Sequence, residues 1–476
     1  MSVEKRCGSE RRMDEEGLEN THNGVCGDDD VEVRDPKTSE QGKHQPDTGE
    51  VATMKVDQKK IWKIFVGAGA TMALVAWMVS TLPSAYAAGT IKSDDENKWI
   101  SVGMGLKTQF SAVQNQAANG QTYSKEFGIP NALIYINGQI HKYVGFEFNT
   151  ECFNCSVGGG GGSFGGNSSI GLADAIGKFE FNQYANLWVG RMLVTGERSE
   201  LNGPFFHGLF DTFKMPFTPA DFSANFGPGG AGLFNRDNGA TFWGQVDPGV
   251  GHLQYSAGVF TGLRSTATAG PNQANSLMYA GRLTYNFLSP EKNPGYYTQG
   301  TYFGTAGDIL AIAVGGQYQN SGAGSLANHS DFTSLATDLL FEKPLGNNMD
   351  MGVITFNAEY KRYWANYNAA AFGDGDCFCI FRGQSYTIYG MYLLPQEVGI
   401  GKFQPYGRYT FIQPESSVNR DEVEAGVNYV IDGVNARISA YWQYGNIETF
   451  NKQNYGPGLV LGDKFSAFRV GLQMQY

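Results

Sequence analysis

The sequence predicts an all-β protein: a transmembrane antiparallel β-barrel of about sixteen strands, between fourteen and eighteen, that follows a cleaved N-terminal signal. Three observations predict it. After Leu82 no long apolar run appears, which excludes helical membrane spans, yet only 17% of the residues are charged and 13% are aromatic. Short segments alternating apolar and polar residues recur down to the final residue. Residues 54–87 carry the three parts of an export signal. A barrel accounts for all three, because its strands alternate lipid-facing and lumen-facing side chains and its aromatics gather at the two membrane interfaces.

The signal comes first. Lys55, Lys59, Lys60 and Lys63 form a positive n-region, Ile64–Leu82 is apolar, and Ala85-Tyr86-Ala87 is a small-x-small cleavage site. Residues 1–53 hold Cys7, Cys26, the acidic run Asp28-Asp29-Asp30 and almost no aromatics. Such a segment cannot bury enough apolar surface to fold, and is read as a disordered or spurious extension ahead of Met54. The barrel is then expected over 88–476. The chain's net charge of −11 gives no basic footprint for nucleic acid.

The strands follow in order: 99–112, 131–137, 142–151, 172–181, 185–194, 240–246, 252–262, 277–288, 308–319, 332–342, 351–364, 385–394, 402–412, 422–431, 435–445 and 464–476. The first places Ile100, Val102, Met104 and Leu106 on one face and Ser101, Gly103, Gly105 and Lys107 on the other. The last alternates strictly from Phe468 to the aromatic Tyr476. Joins after odd-numbered strands are mostly long, and joins after even-numbered ones mostly short, such as Gly138–His141, Asp247–Gly251 and Asp432–Asn435. Bacterial barrels pair short periplasmic turns with long outer loops in this way. The segment 289–307 is the exception, long where a short turn is expected. The longest outer loop, 195–239, is rich in Gly, Pro and Phe. It is too long for a tie and too apolar for a free tip.

Leu187-Trp-Val-Gly-Arg-Met-Leu193, Phe234-Asn-Arg-Asp-Asn-Gly239, Leu253–Gly262, Gln404–Tyr409 and Glu424–Tyr429 together resemble the phosphate-selective porin O and P family. The resemblance spans most of 98–476. It implies a sixteen-stranded outer-membrane porin of a Gram-negative bacterium, often a homotrimer in contact with lipid, that passes small hydrophilic and, in some members, anionic solutes by diffusion. It implies no enzymatic activity. Phosphate-selective members line the pore with basic residues. Here the strand faces direct Lys107, Lys178, Arg282, Lys361, Arg408, Arg437 and Arg469 inward, together with Glu147, Glu151, Asp174, Glu180, Glu359, Glu422 and Glu424. The signs are balanced, so no ion preference follows. Within the long loop, Arg198, Asp211, Lys214, Arg236 and Asp237 are the charged candidates for a constriction.

The cysteines Cys152, Cys155, Cys377 and Cys379 fall at outer loops, where an oxidising envelope favours disulfides. Their close spacing also leaves a metal site open, although CxC is short for one. A second, weaker resemblance is to porin-like outer-membrane cytochromes of acidophilic iron-oxidising bacteria. It implies covalent haem at Cys152 and Cys155. Ser156 stands where the CxxCH motif has histidine, so an axial ligand would come from afar, such as His207, His252 or His329. Otherwise no cofactor is expected. The Gly158–Gly162 run lacks the Lys and Ser/Thr of a phosphate loop, and no nucleophile–base pair is evident. The expected function is passive diffusion through a water-filled lumen narrowed by 195–239. A haem-carrying electron-transfer barrel is the runner-up, and a structural or adhesive barrel with a plugged lumen is the third reading.

Overall fold

In the computed structural model the described residues are 89–476, apart from 154–168, 213, 217–234, 294, 380, 416 and 448–463. The expected signal at 54–87 and the extension 1–53 lie outside them. Among the described residues sixteen strands form the wall: β1 (Trp99–Val113), β2 (Glu126–His141), β3 (Val144–Phe153), β4 (Ser169–Glu180), β5 (Asn186–Leu193), β6 (Arg236–Val246), β7 (His252–Phe260), β8 (Met278–Asn286), β9 (Ile309–Gly324), β10 (His329–Pro344), β11 (Val353–Ala365), β12 (Gly383–Leu393), β13 (Gly401–Pro414), β14 (Arg420–Asp432), β15 (Ala436–Gly445) and β16 (Phe465–Gln475). A short strip, Gly89–Lys92, adds to β1.

Each strand pairs antiparallel with the next. The sheet closes where β16 meets β1, with Gln473 opposite Lys107 and Val470 opposite Phe110. Closure removes the free edges that lipid could not satisfy. Alternation decides the faces. On β10, Phe332, Ser334, Ala336, Asp338, Leu340 and Glu342 are buried inward. Residues such as Val102, Met104, Phe148, Val314, Phe356 and Val423 stand exposed on the outside, as a lipid-facing surface requires. Aromatic girdles flank this belt. Tyr143–Phe181, Tyr285–Phe287 and Phe403–Tyr429 pair near the end that carries the short turns, and Phe110–Phe127, Tyr386–Phe411 and Trp442–Tyr444 near the other. The fold is therefore an outer-membrane-type barrel.

Several strands run longer than the sequence reading has them, and three of the differences bear on the lumen. The β2 strand runs through the expected turn at 138–141, and the turn is Lys142-Tyr143, because His141 still pairs with Val144. Strand β9 continues to Gly324 beyond a break in register after Gln319. Strand β6 begins at Arg236, where it pairs with Leu193, so Arg236 and Asp237 belong to the wall and not to the long loop. The long join between β8 and β9 is real, and it leaves from the short-turn end.

Candidate functional site

The lumen is filled from both ends. From the loop end, residues 194–212 and 214–216 turn inward. Their neck is closed by Val194 N–H donating to Asn235 O at 2.8 Å and Asn235 Nδ2 donating to Val194 O at 2.9 Å. One helical turn, Arg198–Leu201, lies fully buried inside, and the chain then runs irregularly past Phe205, His207 and Phe210. Irregular backbone at membrane depth leaves its carbonyl groups without partners unless side chains supply them.

The wall's polar and basic residues do so in sequence. Gln317 Nε2 donates to Thr195 O at 3.0 Å, Arg282 to Gly196 O at 3.0 Å, and Gln473 to Phe205 O at 2.9 Å. Arg437 donates to Gly208 O at 2.7 Å and to Leu209 O at 3.1 Å. Lys107 reaches Phe210 O at 3.0 Å, Arg408 Asp211 O at 2.7 Å, and Lys361 Pro216 O at 2.7 Å. Arg469 binds the Asp211 carboxylate at 3.2 Å. Inward glycines give the loop's rings room. A Cβ on Gly471 would stand 2.4 Å from Phe210 Cζ, and one on Gly105 2.8 Å from Phe205 Cζ.

From the short-turn end, residues 287–293 and 295–308 rise to meet this loop. Gly300 N–H donates to Phe206 O at 3.0 Å, Tyr296 OH to Leu193 O at 2.6 Å, and Thr298 Oγ1 to Arg198 O at 2.7 Å. Glu342 on β10 receives Gly304 N–H at 2.8 Å and Thr301 Oγ1 at 2.7 Å. Arg198 joins all three parties. Its Nη1 and Nη2 each donate to Glu291 at 2.7 Å, in the bidentate fork suited to a guanidinium, while its Nε donates to Asp338 on the wall at 3.2 Å. Arg282 donates to the same Asp338 at 2.9 Å.

The remaining candidate residues have these positions. Lys361 pairs with Glu197 and Glu200 of the loop, and Glu359 accepts Ser199 N–H at 3.1 Å. Lys214 binds Asp211 at 2.6 Å and Glu422 at 3.0 Å. Glu147 pairs with Lys178 at 2.5 Å and Asp174 with Arg236 at 2.7 Å. Asp237 receives Gly262 N–H at 2.6 Å. Sequence reading missed Asp338, Glu342 and Glu291. The first two were within reach, because both share the inward parity of Ser334 and Ala336. Nothing in a single sequence marks Glu291, whose partner lies 93 residues away.

Beside the filled sector a cavity of about 490 Å³ remains. Its walls are β1–β4, the Leu201–Phe206 stretch of the loop and Tyr297–Gln299 of the rising segment. Asn435, Gln475 and Tyr476 lie at its short-turn end, and Asp174 and Arg236 also line it.

At the loop end a second layer covers the wall. Gly324 and Phe378 exchange backbone hydrogen bonds at 3.1 and 2.8 Å, and Cys377 is bonded to Cys379 around that contact. The Asp376 carboxylate accepts Gly270 N–H at 2.8 Å and Leu326 N–H at 2.9 Å. These hydrogen bonds hold its carboxyl below the usual range. Cys152 is also disulfide-bonded, and Cys155 lies outside the described residues. His207 is buried in the loop, where its Nδ1 accepts Leu209 N–H at 3.1 Å. His252 is at the short-turn end beside Asp247, and His329 opens β10. Among the described residues no group of three or more metal-type ligands gathers.

No family model matches the chain, and no curated protein does. Solved structures do. OprB of Pseudomonas putida is 8% identical and aligns with a TM-score of 0.50 over 79% of this chain and 94% of its own. An anion-selective porin from Comamonas acidovorans is 12% identical, with a TM-score of 0.48 over 79% and 99%. The outer membrane channel DcaP of Acinetobacter baumannii is 10% identical, with a TM-score of 0.44 over 82% and 100%. The likeness is one of fold, and an even-stranded antiparallel barrel with an apolar belt belongs in the outer membrane of a Gram-negative bacterium.

Proposed function

We propose that the chain is an outer-membrane porin through which small hydrophilic solutes diffuse passively, along the narrow route between the inserted segments and the β1–β4 wall. The observation that carries this reading is the cavity beside an otherwise filled lumen, lined by apolar and charged side chains alike and reaching residues of the short-turn end. A wide water-filled pore would leave the wall's charged side chains solvated. Here Lys107, Arg282, Lys361, Arg408 and Arg437 are each at most 4% exposed. Selection by width therefore dominates over selection by a charged ring.

The same burial argues against a phosphate ladder. The basic residues it would need are engaged by the loop's carbonyls and carboxylates. The reading includes no catalysis, and assembly into a homotrimer is part of it. Covalent haem at Cys152 and Cys155 would compete with the disulfide for the Cys152 sulfur. A pyridine haemochrome band from the purified chain would replace diffusion by electron transfer.

The deciding experiment reconstitutes the full chain in planar bilayers. Discrete, small conductance steps are expected. A silent bilayer with correctly inserted protein would sink the diffusion reading.

A further inference from the structure

We infer that the cavity is a binding site for a neutral, multiply hydroxylated ring compound, a small saccharide in chemical class, and that it sets the channel's preference against free anions. The inference rests on the diffusion reading above and names its solute.

Charge is the first ground. The charged side chains lining the cavity are Glu147, Asp174, Lys178 and Arg236. They form one connected network. Lys178 bonds Glu147 at 2.5 Å and Arg236 bonds Asp174 at 2.7 Å. Asn149 Nδ2 ties the two carboxylates together, donating to Glu147 Oε1 at 2.7 Å and to Asp174 Oδ2 at 3.0 Å. Two acids and two bases cancel, so this network of side chains offers neither sign a net attraction. Paired in this way they still present oxygen and nitrogen atoms at fixed places. Such an array suits hydroxyl groups, which both donate and accept.

Shape is the second ground. Phe206 is 36% exposed although it lies inside the barrel, and it is one of the residues lining the cavity. Phe205, Tyr135 and Tyr297 line the same space. Tyr297 OH donates to Glu147 Oε1 at 3.3 Å, so an aromatic face borders the polar network directly. An apolar ring surface beside fixed hydrogen-bonding groups matches a solute with C–H faces and hydroxyl edges. A phosphate ion has no face for the rings and would leave them wet. The volume falls within the range of small-molecule sites, roughly 300–1,000 Å³.

The test uses the full chain in planar bilayers and in liposomes. In a potassium chloride gradient the reversal potential should lie near zero. Glu147→Gln should move it toward anion preference and Lys178→Gln toward cation preference. Glucose added at the short-turn side should reduce the potassium current in a saturable manner, while inorganic phosphate and glycine should not. Phe206→Ala should weaken the glucose effect roughly fivefold, about 1 kcal/mol, read as the glucose concentration that halves the variant's own current. A normal conductance that glucose leaves untouched, or that glycine or phosphate blocks as well as glucose does, overturns the inference and leaves the porin reading standing. Absence of any conductance in the wild-type chain overturns the porin reading itself, and the inference with it.

Discussion

The two sectors of the lumen use similar residues for opposite ends. Along β8 to β16, basic side chains are spent on the inserted loop. Arg437 holds two of its carbonyls, Lys361 holds two of its carboxylates, and Arg282 shares Asp338 with the loop's Arg198. Along β2 to β4, Glu147, Asn149, Asp174 and Lys178 bind mainly one another and β6, with Tyr297 OH the contact from the rising segment, and leave the cavity open. An inward charge on a barrel strand therefore has no fixed role. If folded-in backbone lies opposite, it serves as an anchor that removes unsatisfied carbonyl groups. If a side chain on a neighbouring strand answers it, it becomes part of a buried polar network along the cavity wall.

The largest test of this contrast is Arg198→Ala. Removing a guanidinium that is 0% exposed leaves Glu291 buried with Tyr302 OH, and takes one of the two arginines from Asp338. Breaking a buried pair of this kind costs about 3–5 kcal/mol. The unfolding midpoint should fall, and the mean conductance should rise as the two inserted segments separate. An unchanged midpoint and conductance would show that the clasp does not hold the lumen shut.

A smaller effect is expected where the segments touch by backbone alone. A Cβ on Gly300 would lie 2.4 Å from the backbone nitrogen of Gly208. Gly300→Ala should destabilise by about 1–3 kcal/mol through overpacking, and should speed amide exchange at Gly300 more than at cavity residues such as Asn149. Equal exchange at both would dissolve the distinction between the sectors.

The loop-end layer offers a pH test. The Asp376 carboxyl is held below its ordinary value by two backbone N–H groups, so its contribution is present above the unfolded pKa and is lost as pH falls through the folded one. The Gly270 and Leu326 amides should therefore lose protection only as the medium becomes more acidic than about pH 4. Asp376→Asn should abolish that step. Persistence of the step in the variant would assign it to another group. The smallest effect belongs to Lys343→Ala. Its pair with Asp308 is nearly half exposed on both sides, and the midpoint should move by no more than about 0.5 kcal/mol.

Much of this architecture was legible because strand alternation is a local property. A period of two fixes which side chain faces the lumen whatever the partner strand does, and the last strand, the first strand and the inward basic residues follow from it alone. The same rule could have singled out Asp338 and Glu342. Register breaks after Gln319 and the low start of β6 at Arg236 depend on pairing with distant strands, so the boundaries there moved.

The sequence by itself determined the all-β class, the even strand number, the membrane-facing belt and the anomalous length of 289–307. These rest on composition and short-range pattern. Only the tertiary structure decided that the described residues of 289–307 rise into the barrel, that they meet those of 194–216 there, and that Arg198 clasps both to the wall. Closing a barrel brings residues about a hundred positions apart within hydrogen-bonding distance, and irregular backbone takes whichever donors the curved wall then offers. No period in the chain encodes that choice. It is made by the requirement that every buried carbonyl find a partner.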